Sequence, residues 1–139
     1  MTSAVPRPGR LSTPATAEYW RAAAGGRLLL QVCHACGHRQ LYPRTLCSRC
    51  WSEALGWRES AGTGVVRTFT VIEVPGHPAW HGETPYIVAL VELDEGPCLL
   101  TGVLRQDPYA VHVGQRVRFV AEANGDPAGP IPYFIPENP

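Results

Sequence analysis

The sequence predicts a mainly β chain with one short N-terminal helix, a cysteine ribbon around a metal, and a small barrel of four or five strands. Two Cys-x-x-Cys pairs, Cys33 with Cys36 and Cys47 with Cys50, stand ten residues apart. Beyond Gly62 the chain breaks into short β-type runs separated by turn signals. Gly and Pro number 14 each, well above their average use of about 7% and 5%, as a fold of many tight turns requires. The 139 residues suit one domain and a very small module. A chain of this size buries roughly two-thirds of its unfolded surface, enough for a real core.

Residues 1–12 mix Ser, Pro, Gly and Arg without periodicity and read as an unstructured leader or linker. A helical unit is placed at 13–26. Thr13 before Pro14 resembles an N-cap with a first-turn proline, Glu18 lies near the positive dipole end, and Gly25-Gly26 is the stop. Tyr19 and Trp20 are too close in sequence to share a face, so one ring packs inward and the other meets a neighbouring element. The ribbon takes 27–58, with strand candidates at 28–32 and 55–59 on either side of the cysteines. The barrel takes 59–139 including a C-terminal extension, with strands at 65–74, 86–93, 98–104 and 117–121. Turn signals fall at Pro75-Gly76, Asp94 to Pro97, Gly114 and Asn124-Gly125. Antiparallel closure is expected, because an open sheet this small leaves edges that need cover.

The cysteines carry the clearest chemistry. Each Cys-x-x-Cys turn can present two thiolates, and two facing turns complete a tetrahedral S₄ site suited to Zn²⁺. Gly37 frees the backbone beside the first turn and lets its amide approach a sulfur. Structural disulfides would call for an export signal, a redox dithiol for one such motif beside a βαβ unit, and an iron–sulfur centre is a further use of four thiols. A zinc held by Cys33, Cys36, Cys47 and Cys50 is closed and structural, with no open position for an activated water. His34 and His38 read as surface or supporting residues, and Cys98, beside Leu99 and Leu100, as a small buried apolar residue.

Charge and composition exclude several classes. Twelve basic residues, all Arg, balance 12 acidic ones, which argues against a phosphate-tracking protein and removes lysine Schiff-base chemistry. No apolar run approaches the ~18 residues of a membrane span, and no secretory signal is visible; a cytoplasmic location is expected. Glu59, Glu73, Glu83 and Glu92 are dispersed, and Ser52 and Ser60 sit in no nucleophile elbow. The connector 75–85 is long for a hairpin; it carries His77, His81 and Trp80, a residue type that anchors interfaces.

The succession EYWRAAAGGRLLLQ, CHACGHRQLYPRTLCSRC, GWRESAGTGVVRTFTV, PYIVALVELDEGP and GQRVRFV resembles the acyl-CoA-associated zinc-ribbon plus OB-fold proteins, the family called domain of unknown function thirty-five. The likeness spans about Glu18 to Phe134; the segment His38-Arg39-Gln40 and the connector 75–85 depart from it. The resemblance implies an N-terminal helix, a rubredoxin-like zinc ribbon and a five-stranded OB barrel. It also implies an accessory, non-catalytic subunit in a hetero-oligomer with a thiolase-like enzyme, or with a hotdog-fold hydratase, working on acyl-CoA. The specific expectation is retro-aldol carbon–carbon cleavage in steroid side-chain degradation, with this subunit supporting its partner and the substrate or CoA channel. Guanidinium groups suit the phosphates of CoA, so Arg39, Arg44 and Arg49 are candidate CoA or partner contacts, with Trp80, Tyr19 and Trp20 beside them. The competing class is a single-stranded nucleic-acid binder, since ribbons and OB barrels recur in that role. It would need a basic groove and stacking aromatics, whereas Trp57, Phe69, Tyr86 and Phe119 are expected in the core.

Overall fold

A computed structural model describes residues 5–122 and 129–138. Helix α1 (Ala17–Ala24) leads into a three-stranded sheet of β1 (Leu29–Cys33), β2 (Arg39–Gln40) and β3 (Leu55–Glu59), ordered β2-β1-β3. A closed barrel follows, made of β4 (Thr63–Ile72), β5 (Tyr86–Leu93), β6 (Cys98–Val103), β7 (Arg116–Glu122) and β8 (Ile131–Pro136), ordered β4-β5-β6-β8-β7. The turn read at Asn124-Gly125 lies outside the described residues.

The helix begins later than its sequence suggests. Thr16, not Thr13, is the N-cap, and Pro14 belongs to a preceding turn in which the Thr13 carbonyl accepts the Thr16 and Ala17 N–H groups at 3.0 and 2.9 Å. The Thr16 hydroxyl is taken by the Thr13 N–H at 2.8 Å, so it caps no helical amide. The end matches expectation: Gly26 at φ +79° lets the Arg27 and Gly26 amides fold back onto the Ala22 and Ala23 carbonyls. Residues 5–12 form no regular element. They are nonetheless engaged: Arg7 pairs with Glu83 at 2.7 Å and lies over Trp80, and Arg10 lies over Trp20.

In the barrel, β5 alternates without a fault, burying Ile87, Ala89, Val91 and Leu93. Strand β8, which the sequence reading left in a C-terminal extension, closes the barrel; it pairs β7 antiparallel over six positions and β6 in parallel at Val103↔Phe134 alone. Pro130, Pro132 and Pro136 disguised it. The Pro132 carbonyl accepts from Thr101 Oγ1 and the Phe134 carbonyl from the Leu104 N–H, so the even positions turn their backbone toward β6. The N–H groups that Pro132 and Pro136 lack are thus missing on the loosely zipped side, and the β7 ladder is spared.

One apolar cluster joins the two sheets: Tyr19, Leu28, Leu30 and Leu41 pack with Val66, Val91, Val103 and Phe134. Hydrogen bonds reinforce the joint. The Glu95 carboxylate accepts from the Ser60 hydroxyl at 2.9 Å and the Ala61 N–H at 2.7 Å, and the Tyr42 hydroxyl accepts the Leu100 N–H at 3.0 Å. Four core expectations are corrected. Tyr86 lies on the outward phase of β5, opposite to buried Ile87. Cys98 is only half-buried, on the outward phase of β6 against Arg67, because Leu99 and not Leu100 points inward. Trp57 and Phe69 are 38% and 36% exposed, the first on the outer strand of the ribbon and the second where β4 has run past β7.

Candidate functional site

The two Cys-x-x-Cys turns are near copies of each other. In the first, the Gly37 N–H donates to the Cys33 carbonyl and the Cys33 N–H to the His38 carbonyl, both at 2.8 Å. In the second, the Trp51 N–H donates to the Cys47 carbonyl and the Cys47 N–H to the Ser52 carbonyl, both at 2.9 Å. The Gly37 amide thus serves a carbonyl and not a sulfur. The fifth residue of each turn is left-handed, with φ +78° at Gly37 and +67° at Trp51. Glycine adopts that conformation freely; tryptophan does so at a cost.

Facing turns bring the four thiols together. Cys33 and Cys50 sulfurs are 3.6 Å apart, Cys36 and Cys47 sulfurs 3.7 Å, and all four lie within 4.8 Å of one another. These distances exclude disulfides, which need about 2.05 Å. They fit a tetrahedron: a Zn–S bond near 2.3 Å sets an S···S edge of about 3.8 Å.

The electrostatics point the same way. Amides of Cys36 and Ala35 hold the Cys33 thiol below its ordinary range despite burial. Burial raises Cys47, but the Cys50 and Arg49 amides outweigh it and bring that thiol down to about 6. Cys50 moves the other way: the Ser52 amide lowers it, yet burial and the three neighbouring thiols push it up to about 12. Sulfurs this close cannot all ionise unaided, and a divalent cation removes the conflict. Cys33, Cys36, Cys47 and Cys50 could therefore hold a metal ion with every donor position filled.

Around this cluster, His38 Nε2 meets Ser48 Oγ at 3.1 Å and so links the two turns, while His34 lies exposed over Gly56. Between the turns the chain is ordered by two buried glutamines facing each other across β1 and β2. Gln40 donates to Gln31 at 2.8 Å; Gln31 in turn bonds the Arg44 N–H and carbonyl, and Gln40 accepts the Ser48 N–H. Arg44 and Arg49 are exposed, and Arg39 reaches the Glu95 carbonyl at 3.3 Å. Trp51, which the sequence reading passed over, is 78% exposed beside the thiols. Aligning the two Cys-x-x-Cys turns, so that Trp51 falls on Gly37, would have singled it out.

A second feature lies on the outside of the barrel. A cavity of about 640 Å³ is walled by Trp80, Tyr86, Val88, Leu100, Ile131 and Tyr133, above the β6–β8 seam. Trp80 is half-buried in a 3-10 turn (Pro78–Trp80), with His77 edge-on at 5.6 Å. Tyr19 is 4% exposed, which makes it a core residue and not a contact surface; Trp20 packs edge-on against it at 4.9 Å. The dispersed carboxylates take structural partners: Glu83 holds Arg7, Glu92 holds Arg67 and Glu73 accepts from the Tyr109 hydroxyl. Ser60 bonds Glu95 at the joint between ribbon and barrel.

Comparison with known proteins matches both halves. Residues 20–56 fit the model of the ChsH2 rubredoxin-like zinc ribbon domain, and residues 57–122 that of the ChsH2 C-terminal OB-fold domain. The "probable enoyl-CoA hydratase alpha subunit" of Thermomonospora curvata is 37% identical over 88% of this chain, which spans only 38% of that protein's length. A "DUF35 domain-containing scaffold protein" of Pyrococcus furiosus is 31% identical, over 74% of this chain and 75% of its own. Among solved structures, a chain of the "Ltp2-ChsH2(DUF35) aldolase" superposes with a TM-score of 0.80 at 36% identity, covering 94% of this chain and 98% of that one. In fold, thiol cluster and sequence, this chain belongs to the DUF35 family of zinc-ribbon and OB-fold proteins, in its ChsH2 form.

Proposed function

We propose that the chain is a non-catalytic accessory subunit of a thiolase-superfamily enzyme acting on acyl-CoA thioesters, in the cytoplasm, with retro-aldol cleavage of a steroid-derived side chain as the reaction served. The observation that carries this reading is the near full-length likeness to a chain of the Ltp2-ChsH2(DUF35) aldolase. The hydratase name borne by the Thermomonospora relative supports a hotdog-fold hydratase as a further associate. The metal is Zn²⁺, held by Cys33, Cys36, Cys47 and Cys50. With four thiolates on one ion no position is left for water, so its work is structural.

The contribution to catalysis is indirect. A rigid ribbon braces partner loops or the CoA channel, where a small misplacement of reacting groups costs large factors in rate. Arg44, Arg49 and Arg39 offer guanidinium groups to CoA phosphates or partner carboxylates. Trp51 beside the thiols, and Trp80 and Trp20 elsewhere on the chain, are the apolar anchors offered to a partner.

Co-expression with the thiolase-like subunit, size-exclusion chromatography and an acyl-CoA cleavage assay test the reading. A co-eluting complex whose activity falls on removal of this chain is expected. A thiolase-like subunit fully soluble and active alone would overturn it. The triple variant Arg39→Ala, Arg44→Ala, Arg49→Ala should raise the Kd of the complex for CoA; an unchanged Kd rejects the arginine assignment.

A further inference from the structure

The segment before the helix is covered at its cations and bare at its apolar side chains. Among residues 5–12 only Arg7 and Arg10 are not exposed, whereas Val5 and Leu11 are 49% and 86% exposed. Apolar burial therefore does not hold this segment in place. Its two guanidinium groups do.

Arg7 enters a compact turn in the connector between β4 and β5. There the Trp80 N–H donates to the His77 carbonyl, the Ala79 N–H to His77 Nδ1 and the Glu83 N–H to the Trp80 carbonyl, each at 3.1 Å. Trp80 and Glu83 are thus fixed in one turn, and Arg7 meets both. Its guanidinium lies 5.1 Å from the Trp80 ring centroid, its Nη2 is 2.7 Å from Glu83 Oε1, and its side chain is only 12% exposed. A planar guanidinium can stack on a ring while it pairs with a carboxylate, and a cation–π contact strengthens as water is excluded.

Arg10 repeats the contact at the other end, 4.7 Å from the ring centroid of Trp20 on α1. On the way it passes the start of β8, where a Cβ added at Gly129 would meet Arg10 Nη2 at 3.4 Å. The segment therefore crosses from the connector to the helix, fastened at both ends. Trp80 and Glu83 also wall the cavity of about 640 Å³ on the outside of the barrel. Against two ring contacts and one ion pair stands the entropy of ordering eight residues, a cost that Pro6 and Pro8 lower and Gly9 raises. Opposing effects this closely matched leave the segment poised between docked and released forms.

We propose that residues 5–12 are an arginine-anchored strap: docked, it covers one face of Trp80 and holds that wall of the cavity; released, it frees Trp80, Trp20 and the connector together. The strap does not depend on the accessory role, and its test needs no enzyme subunit. Trypsin cleavage of the full zinc-loaded chain at Arg10–Leu11 reads the released form, because proteolysis follows the population that opens. That bond should be cut more slowly than in a free peptide of the same sequence by about tenfold or more. Arg7→Met keeps the length and drops the charge; it should speed cleavage about tenfold, and Glu83→Gln about threefold. The double variant should add little to Arg7→Met, since both changes remove one anchor. Fluorine NMR of the chain labelled with fluorotryptophan gives a second readout. Arg7→Met should shift the Trp80 signal, Arg10→Met both the Trp20 and the Trp80 signals, and neither the signal of Trp57 on β3. Circular dichroism melts and zinc content check that every variant is folded. Wild-type cleavage as fast as that of the peptide overturns the proposal, as does an Arg7→Met chain unchanged in cleavage rate and Trp80 signal. A Trp80 signal indifferent to Arg10→Met overturns it too, because two independent contacts make no strap.

Discussion

Ribbon and barrel are both small β units, but they are held by different forces. The barrel has an apolar interior of its own: β5 and β6 bury every second residue, around Phe134. The ribbon has none. Its buried Leu28, Leu30 and Leu41 belong to the cluster it shares with the barrel, β2 is two residues long, and β3 leaves Trp57, Arg58 and Glu59 exposed. Its far end is fastened by four thiols and a pair of glutamines. A unit too small to exclude water must borrow order, from a neighbour at one end and from an ion at the other.

Metal removal is the strongest way to break that comparison. Structural zinc contributes about 10–16 kcal/mol of apparent binding free energy to zinc-finger peptides at neutral pH. Chelation, or Cys47→Ser, should therefore melt the thiol end while the barrel persists. Hydrogen exchange read residue by residue checks it: protection should vanish between 33 and 54 and survive in β5 and β6. Concerted loss in both would mean that the shared cluster, and not the ion, sets the ribbon's order.

One substitution made twice sharpens the contrast. A Cβ added at Gly64, where β4 crosses β5, would lie 2.3 Å from the Glu92 carbonyl oxygen, which the ladder holds fixed. At Gly56 the atom met at 2.4 Å is His34 Nε2, the tip of an exposed side chain that can swing away. Gly64→Ala should cost about 3 kcal/mol by strand displacement, and Gly56→Ala under about 1 kcal/mol. Urea midpoints with equal slopes measure both, and the reverse order would place the rigid element in the ribbon.

The same contrast governs what the sequence disclosed. Four cysteines at knuckle spacing declare a tetrahedral site because the chemistry admits few other arrangements. The alternation of β5 declares a strand because it matches the pleat. Cys98 was misplaced since Leu99 and Leu100 are both apolar and leave the phase of β6 open; contact with β5 decides it. Strand β8 was hidden by prolines whose harmlessness depends on a neighbour, β6, more than 25 residues away in sequence. The point where β7 leaves β4, after Val65, was invisible for a similar reason: RTFTVI reads as an ordinary strand with two neighbours.

Glu95 tests the joint itself. Its carboxylate gathers the Ser60 hydroxyl and the Ala61 N–H where the chain passes from ribbon to barrel, and hydrogen bonds to a charged group contribute about 1.5–3 kcal/mol. Ser60 is buried and also accepts the Gly62 N–H, so it cannot simply turn to water. Glu95→Ala should lower global stability by roughly 1–2 kcal/mol. In a cycle with Tyr42→Phe, which removes a second polar hold of the ribbon on the barrel, at Leu100, the two losses should not add if both report one docking equilibrium. Simple additivity would make them independent local contacts.

The smallest effect belongs to the rim of the barrel, at Asp94. The Arg116 guanidinium, bonded at 2.8 and 3.1 Å, and the Thr63 hydroxyl hold its carboxyl below the usual carboxylate range. A depressed folded pKa means the unfolded chain takes up the proton first as pH falls. The contribution is therefore complete above about pH 4, the ordinary aspartate value, and disappears as pH drops through the folded value. The pair is nearly half exposed, so water and salt screen it strongly. Asp94→Asn should thus be slightly less stable than wild type at neutral pH and low salt, with the gap closing in acid and in high salt. Chelated protein should show the same gap, because Asp94, Arg116 and Thr63 all belong to the barrel; if removing the metal abolishes it, the two units are coupled through more than their shared apolar cluster and the Glu95 joint.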